Sequence, residues 1–225
     1  MRKNPEIELL RQQSLTTLVQ REIEHRITEG DLPPGAKLNE AELAASLGVS
    51  RGPVREAFRA LEQAGLVQTA KNRGVFVRQV SLEEAAEIYE VRAALEGQIG
   101  RLAAGRATRE QIEKLRAIVK RMHATVRSRD ADAYFPLNLQ FHELLAEAAA
   151  NRALTANYRR VVNELNLYRR EAIQRNVDVI PVSTQEHEAI VEAVAKGDAA
   201  RAERLLYDHV INSRARLHLK DKEAA

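Results

Sequence analysis

The 225-residue sequence contains no cysteine and no tryptophan, and aromatic residues make up only 4% of it. The lack of cysteine excludes disulfides, thiol catalysis and cysteine-ligated zinc. No apolar run approaches the roughly 18–20 residues that a membrane span requires. The charged residues near the N-terminus also stand where a signal peptide needs an apolar core. We therefore expect a cytoplasmic protein that makes no contact with a membrane.

What is present indicates a mainly helical protein. Hydrophobic residues make up 44% and charged residues 30% of the chain, and its length suffices for two modest domains. Between residues 51 and 80 there are six Lys or Arg against two Glu, a local net charge of +4. Residues 81–225 carry 23 basic against 22 acidic residues, a net charge of only +1. The positive charge is thus concentrated in one short stretch, as phosphate binding requires.

That stretch begins with a segment that predicts a short amphipathic helix. Ser50 is expected to cap it through its side-chain oxygen, and Pro53 falls in the first turn, where its missing N–H is harmless. Apolar residues recur at helical spacing on one face, and three arginines spaced four apart follow the other. The apolar residues are Val54, Ala57, Phe58 and Leu61, and the arginines are Arg51, Arg55 and Arg59. A helix of this kind fits a DNA major groove.

Two further helices are expected before this one. Ser14 is suited to cap a helix that runs to about Glu29, and Gly30 and the LPPG turn at 32–35 end it. Asn39 is suited to cap a short helix, which Gly48 ends just before the Ser50 turn. A helix, a glycine-containing turn and a second helix that starts with basic residues describe a helix-turn-helix.

A β-hairpin is expected directly afterwards. Residues 66–69 and 75–80 have strand-like composition, and residues 70–74 join them. Lys71, Arg73 and Gly74 at its tip would allow a wing to contact phosphates or to enter a minor groove. The alternative is an ordinary solvated turn.

From Ser81 onward the sequence predicts six helices and no strand, which favours an antiparallel helical bundle. Capping boxes are expected at three helix starts. They pair Ser81 with Glu84, Thr108 with Gln111 and Ser183 with Glu186. The chain is thus divided into a mobile arm at 1–13, a winged helix-turn-helix domain at 14–80 and a helical domain at 81–225.

Polar side chains at core positions of the helical domain indicate a binding site. Asn138 and His142 share one apolar helix face, while His187 and His209 lie on the apolar faces of two other helices. Three inward histidines favour a shared divalent metal, because unpartnered polar groups are costly to bury. Neutral imidazole suits Zn first, with Ni, Cu or Fe as alternatives. The competing interpretation is that these histidines are hydrogen-bonded internally; His25, His123 and His218 receive no role.

Arg92 also falls on an apolar stripe and therefore needs an anion in the core. That anion is either an internal carboxylate such as Glu96 or a bound ligand. A metal beside an arginine would bind a small carboxylate, with the metal on one oxygen and the guanidinium on others.

The segment from Leu32 to Val77, which contains LGVSRGPVREAFRAL and the wing glycine, resembles the winged helix-turn-helix of the GntR family of bacterial transcriptional regulators. The resemblance implies DNA contacts at Arg51, Gly52, Arg55, Arg73 and Gly74, and the basic positions Arg59 and Lys71 are added as candidates. Two positions depart from some relatives, which have Arg in place of Ala41 and Thr in place of Gly52. Such a regulator would be associated with the bacterial nucleoid.

Residues 82–215 resemble the FCD effector domain of the FadR subfamily, through EVRAALEG, NLQFHELLAEAAANRAL, EHEAIVEAVAKGD and a late histidine. The resemblance implies a dimeric helical bundle that binds a metal and a small organic acid. Carried over, the metal ligands are Asn138, His142, His187 and His209, and Arg92 contacts the carboxylate. Asn138 in place of an aspartate leaves the site one negative charge weaker.

Three functions follow as hypotheses. The first is a ligand-responsive repressor that binds a palindromic operator as a homodimer. The second is a metal-dependent hydrolase, although position 146 is Ala where the two-histidine helix motif needs His, and no buried general base is evident. The third treats the helical domain as a dimerisation module without an effector.

Overall fold

The computed structural model describes residues 15–218, except for the side chains at positions 29, 166–168, 170–172, 175, 217 and 218. The expected mobile arm at 1–13 and the Ser14 cap lie outside the described residues. The chain divides into two compact units between Gln79 and Val80. Each unit is described by itself below.

The described residues of the first unit, 15–79, form three helices and a small antiparallel sheet of strand order β1-β3-β2. Its elements in chain order are α1 (Leu15–Glu29), β1 (Lys37–Leu38), α2 (Glu40–Ser46), α3 (Arg51–Gln63), β2 (Val67–Ala70) and β3 (Gly74–Val77). The predicted helix-turn-helix and hairpin are both confirmed. The sequence did not indicate β1, because two residues are too few to establish a strand pattern.

Local sequence explains the helix starts, with one correction. The side chain of Asn39 caps α2 and accepts from the N–H groups of Ala41 and Glu42. Ser50 occupies the N-cap position of α3 with an extended backbone, but its side chain makes no capping hydrogen bond. The expectation that its oxygen accepts from the first turn is therefore wrong. Ser50 is exposed, so water can take the place of the cap.

The hairpin differs slightly from its predicted limits. In the register of the two strands, Val67 pairs with Val77 and Ala70 with Gly74, so β3 ends three residues before the expected Val80. Positive φ angles at Asn72 (61°) and Gly74 (107°) turn the chain between the strands. Asparagine and glycine tolerate this left-handed region better than other residues.

Residues 80–218 of the second unit form six helices, as the sequence predicted, and contain no strand. The helices are α4 (Leu82–Arg106), α5 (Arg109–Ser128), α6 (Ala131–Ala148), α7 (Arg152–Arg175), α8 (Val179–Ala195) and α9 (Ala199–His218). Most of the large buried side chains of these helices form one hydrophobic core. None of the helices in the described part of the chain is long and apolar enough to cross a membrane.

Two of the three expected helix starts are correct. Thr108 and Gln111 form a reciprocal capping box before α5, and the side chain of Ser81 accepts from the N–H of Glu84. Ser183, however, lies inside α8, which begins four residues earlier at Val179. Its buried hydroxyl lies 2.7 Å from the hydroxyl of Tyr134, which donates to it. The serine is therefore a core residue and not a cap.

Close packing of α4 against α9 depends on glycine. A Cβ built on Gly100 would lie 2.6 Å from the carbonyl oxygen of Ala202 and 2.7 Å from Cδ1 of Leu206. Only the missing side chain lets the two backbones approach this closely. The approach matters because α4 carries Arg92 and Glu96 while α9 carries His209.

Candidate DNA surface and metal centre

Helix α3 separates an apolar face from a basic face. Val54, Ala57, Phe58 and Leu61 are buried in the first unit. The predicted DNA contacts Arg51, Gly52, Arg55 and Arg59 are all exposed. The division between the two faces thus follows the sequence pattern, and the basic residues are accessible to a partner.

The wing residues Lys71, Arg73 and Gly74 are exposed as well. The guanidinium of Arg73 lies over the ring of Phe76, 5.7 Å from its centroid. Arg55, Arg59, Arg73 and Gly74 line one open groove between α3, the start of α2 and the hairpin. Arg51, Gly52 and Lys71 are not part of its wall. The structure therefore brings four of the seven predicted DNA residues onto one concave surface.

Two arginines of the basic stripe have acidic partners that the sequence analysis missed. Arg55 donates from Nε and Nη2 to the two carboxylate oxygens of Glu40, at 3.1 and 2.9 Å. Arg59 donates from Nη1 to Oε1 of Glu56 at 2.8 Å. The second pair was readable from the three-residue spacing within one helix. The first joins two helices and left no such signal.

In the second unit, three predicted metal ligands converge in the core. His142 comes from α6, His187 from α8 and His209 from α9, and all three are buried. Their candidate ligand atoms all lie within 4.8 Å of one another. Nε2 of His142 lies 3.3 Å from Nε2 of His187. Three imidazoles at this separation can coordinate a single divalent ion.

Two buried or half-buried carboxylates lie beside two of these rings. Nδ1 of His142 lies 2.6 Å from Oε2 of Glu96, a short contact that is poorly aligned for a hydrogen bond. Nδ1 of His209 lies 2.7 Å from Oε2 of Glu186, and the two are hydrogen-bonded. A carboxylate at Nδ1 favours the tautomer that carries its proton there, which leaves Nε2 free to coordinate.

The electrostatic environment keeps the three imidazoles neutral. Burial lowers the pKa of His142 to about 4, although the Glu96 carboxylate opposes the change. Burial also lowers the pKa of His187 and of His209, against the opposing effect of Glu186 on the latter. Neutral imidazole is the form that binds metal ions. In addition, the buried Nδ1 of His187 has no hydrogen-bond partner among the described residues.

Asn138, the fourth predicted ligand, is buried one helical turn before His142 on α6. It lines a narrow cavity whose wall also includes His209, Arg169 and Ser183. The free space in this cavity admits about one water molecule or ion. The side chains therefore have to move before an organic acid can enter.

Arg92 is buried, as its position on the apolar stripe predicted. Its Nε donates to Oε1 of Glu96 at 2.6 Å, and both side chains are almost fully occluded. Nη1 and Nη2 of Arg92 make no aligned hydrogen bond within the described part of the chain. Two buried donor groups on a cation are well suited to an anionic ligand.

Glu96 is the internal carboxylate that the sequence offered as one partner for Arg92, and it lies beside His142 as well. Burial by itself would raise its pKa, but Arg92 and His142 outweigh this effect and hold the pKa far below the usual range. A carboxylate that binds protons so weakly is a poor general base. Its contacts indicate instead that Glu96 holds the side chains of Arg92 and His142 in place.

Arg169 is a buried residue that the sequence analysis did not single out. It extends from α7 into the same cavity wall as Asn138 and His209. Burial and the nearby Arg92 cation both lower its pKa. The signal was available, because Tyr158, Val162 and Leu165 form an apolar stripe that Arg169 continues.

Comparison with known proteins identifies two matched domain families. Residues 15–77 match the model for bacterial regulatory proteins of the gntR family, and residues 87–212 match the FCD domain. The chain is 34% identical over 186 residues to a protein of Paenarthrobacter nicotinovorans named as a probable D-xylose utilization operon transcriptional repressor. That alignment covers 82% of this chain and 80% of the relative.

A second relative is the HTH-type transcriptional regulator LutR of Bacillus subtilis, 31% identical over 208 residues, or 83% of this chain and 93% of that one. Among solved structures, a GntR regulator from Rhodococcus sp. RHA1 superposes with a TM-score of 0.74 and 26% identity, covering 91% of this chain and 97% of that one. Escherichia coli McbR/YncC shares the fold, with a TM-score of 0.79, 20% identity and coverage of 92% and 98%. Both relatives are named as transcriptional regulators.

Proposed function

The chain belongs to the GntR family of bacterial DNA-binding transcriptional regulators with an FCD domain, and we propose that it is a ligand-responsive repressor. In this proposal it acts in the bacterial cytoplasm on nucleoid DNA and binds a palindromic operator as a homodimer. Its helical unit holds a divalent metal and a small organic acid. The observation that carries the proposal is the cluster of three buried, neutral imidazoles beside a buried arginine with two unbonded donor groups.

On the DNA side, α3 would enter the major groove and the wing would contact the adjacent backbone. Support comes from the shared groove that contains Arg55, Arg59, Arg73 and Gly74. Arg51, Gly52 and Lys71 would make contacts outside that groove. Two copies of α3 would read half-sites about one helical turn apart. The name of the Paenarthrobacter relative favours repression over activation.

On the sensor side, His142, His187 and His209 would hold the metal, with Asn138 as a fourth ligand. Zn is the first expectation from three imidazoles, with Ni or another transition metal as the alternative. A bound divalent ion supplies a Lewis-acidic position for a ligand oxygen. Glu186 would hold His209 in the coordinating tautomer through its hydrogen bond, and the nearby Glu96 carboxylate would favour the same tautomer of His142 electrostatically.

The effector proposed is a small carboxylate. Nη1 and Nη2 of Arg92 offer it two parallel donors, since Glu96 engages only Nε. Because the cavity admits little more than an ion, entry of the acid requires rearrangement of the surrounding helices. A ligand that binds one arrangement better shifts the population toward it, and operator affinity changes in consequence.

The DNA part of the proposal is tested by selecting duplexes from a randomised library with purified protein. The expected result is a palindromic consensus, to which Arg55→Ala binds undetectably in a gel shift while its circular dichroism spectrum is unchanged. An unchanged affinity of this variant would remove Arg55 from the DNA contact.

The metal part is tested by elemental analysis of protein purified without chelator. We expect about one divalent ion per chain in the wild type and almost none in His142→Ala. His123→Ala serves as the matched control, because His123 is exposed on α5 and 3.4 Å from Glu188. Equal metal contents in all three proteins would favour the hypothesis that the helical unit only mediates dimerisation.

The effector part is tested by a thermal-shift screen of small carboxylates with and without Zn. Stabilising acids are then added to the operator-binding assay. We expect to find an acid that stabilises only the metal-loaded protein and that weakens its binding to the operator. In Arg92→Lys, the same acid should neither stabilise the protein nor weaken operator binding. An acid that binds Arg92→Lys equally well would contradict the assignment of the guanidinium.

A further inference from the structure

The ion pair between Arg55 and Glu40 links α3, the proposed DNA recognition helix, to the preceding helix α2. Arg55 is 60% and Glu40 26% exposed, and both belong to the groove that faces outward between α2, α3 and the hairpin. Their contact is bidentate, with Nε and Nη2 of the arginine on the two oxygens of one carboxylate. Such paired contacts fix the plane of a guanidinium as well as its position.

Glu40 does not form the cap of its own helix. The cap of α2 is formed by Asn39, whose side-chain amide donates to Oε1 of Glu42 at 2.7 Å. Glu42 thus completes the helix start, whereas the carboxylate of Glu40 points to Arg55. The positive end of the helix dipole further stabilises the charged form of a carboxylate in this first turn.

The contact uses only one edge of the guanidinium. With Nε and Nη2 directed at Glu40, the outer edge formed by Nη1 and Nη2 keeps two parallel N–H groups. That edge matches the O6 and N7 acceptors of guanine. The pair carries no net charge, so its attraction to a phosphate is weak while its directional donors to a base edge remain.

We propose that Glu40 is a specificity-determining residue of DNA binding, which holds the outer edge of Arg55 for a base and withholds the arginine's charge from phosphates. The inference rests on the proposed role of this face in operator binding. Arg59 gives an internal contrast, because its partner Glu56 lies on the same helix and both are more exposed, at 67% and 55%. That pair ties no second helix to the recognition helix.

The test measures binding of Glu40→Gln to a mixed random-sequence 30-base-pair duplex as salt increases. If the freed Arg55 gains one phosphate contact, the slope of log affinity against log salt steepens by about 0.9. Affinity then falls an additional roughly 3.5-fold between 50 and 200 mM salt. Glu42→Gln is the matched control, since it removes the same charge two residues away and should keep the wild-type slope.

Selection from a randomised library supplies the second measurement. Glu40→Gln should lose preference at one base position of each half-site, while Glu42→Gln should retain it. Glu40→Asp keeps the charge but is one methylene shorter, so we expect the wild-type salt slope together with a relaxed base preference. Circular dichroism confirms that each variant is folded.

The outcomes separate this inference from the proposed function. If the wild type enriches a sequence and Glu40→Gln behaves like Glu42→Gln in both assays, the role assigned to Glu40 is wrong. If the wild type enriches no sequence at all, the operator-binding proposal itself fails.

Discussion

Nδ1 of His142 lies 2.6 Å from one carboxylate oxygen of Glu96, and the two side chains are only 1% and 2% exposed. The other oxygen of the same carboxylate accepts from Nε of Arg92 at 2.6 Å. One buried anion therefore touches a candidate metal ligand and a candidate effector contact. A change at either group alters the electrostatic environment of the other through Glu96.

Replacing Glu96 tests the energetic importance of this anion. Glu96→Gln keeps the shape of the side chain but leaves the Arg92 cation buried without its counter-charge. We expect the free energy of unfolding to fall by about 3–5 kcal/mol, the usual effect of breaking a buried pair. Urea unfolding at pH 7 in the presence of a chelator measures it.

Glu110→Gln is the control for this experiment, because its exposed pair with Lys114 should contribute little. If the two variants unfold at the same urea concentration, the Arg92–Glu96 contact does not stabilise the unit.

Acid should destabilise the metal-free protein through the buried histidines. The pKa of His142 is about 4 in the folded chain and about 6.5 when the chain is unfolded. Between these values the unfolded chain binds more protons, so stability falls as the pH decreases through this window. From pH 7 to pH 5, His142 alone contributes a loss of about 2 kcal/mol.

The low pKa of Glu96 also makes the folded chain less stable as the pH falls, but over a lower pH range. The stabilisation by Glu96 is complete above the carboxyl pKa of the unfolded chain and decreases as the pH falls below it.

Urea titrations at pH 7 and pH 5 test the contribution of His142. The difference in the free energy of unfolding between the two pH values should be smaller for His142→Gln than for the wild type. His123→Gln, which changes an exposed ring, should keep the full difference. A pH dependence that is the same in all three proteins would show that folding does not lower the pKa of His142.

Glu186 offers a test of ring orientation that does not remove a ligand. It accepts from His209, and Arg216 donates to both of its oxygens at 2.7 and 2.8 Å. Loss of such a supporting carboxylate commonly weakens metal binding about 10–100-fold. We therefore expect Glu186→Gln to bind Zn about 10–100-fold more weakly than the wild type. Competition for Zn with a chromophoric chelator measures this affinity.

Glu188→Gln supplies the comparison, because Glu188 lies on the same helix but is 62% exposed beside His123. It should bind Zn as the wild type does. Equal affinities of both variants and the wild type would show that Glu186 does not orient His209.

Periodicity predicted most elements of the fold but could not establish tertiary contacts. The apolar stripes located the six helices of the second unit and the inward direction of Arg92 and the histidines. They could not show that three helices bring the candidate ligand atoms of the histidines within 4.8 Å of one another, since that depends on packing. Ser183 illustrates the limit, because a serine followed three residues later by a glutamate also occurs inside a helix when the hydroxyl has a partner such as Tyr134.

The DNA surface shows the same limit. Helical spacing correctly placed Arg51, Arg55 and Arg59 on an exposed face. It could not reveal the pairing of Arg55 with Glu40, because 15 residues and a turn separate them. Contacts between helices depend on crossing geometry, which one sequence does not encode in a readable pattern.

The close approach at Gly100 allows a final prediction that connects packing to the site. In Gly100→Ala the new Cβ would meet the Ala202 carbonyl oxygen at 2.6 Å, so α4 and α9 must separate. Overpacking of this kind destabilises by about 1–3 kcal/mol. The shift also moves α4, which carries Glu96, away from α9, which carries His209, so the metal ligands lose their arrangement and Zn affinity should fall as well. Gly105→Ala is the control on the same helix, where no other atom lies within 4 Å of the built Cβ. It should stabilise the protein by about 0.4–1 kcal/mol and leave Zn affinity unchanged. If Gly105→Ala loses as much stability as Gly100→Ala, the loss does not come from the close approach at Gly100.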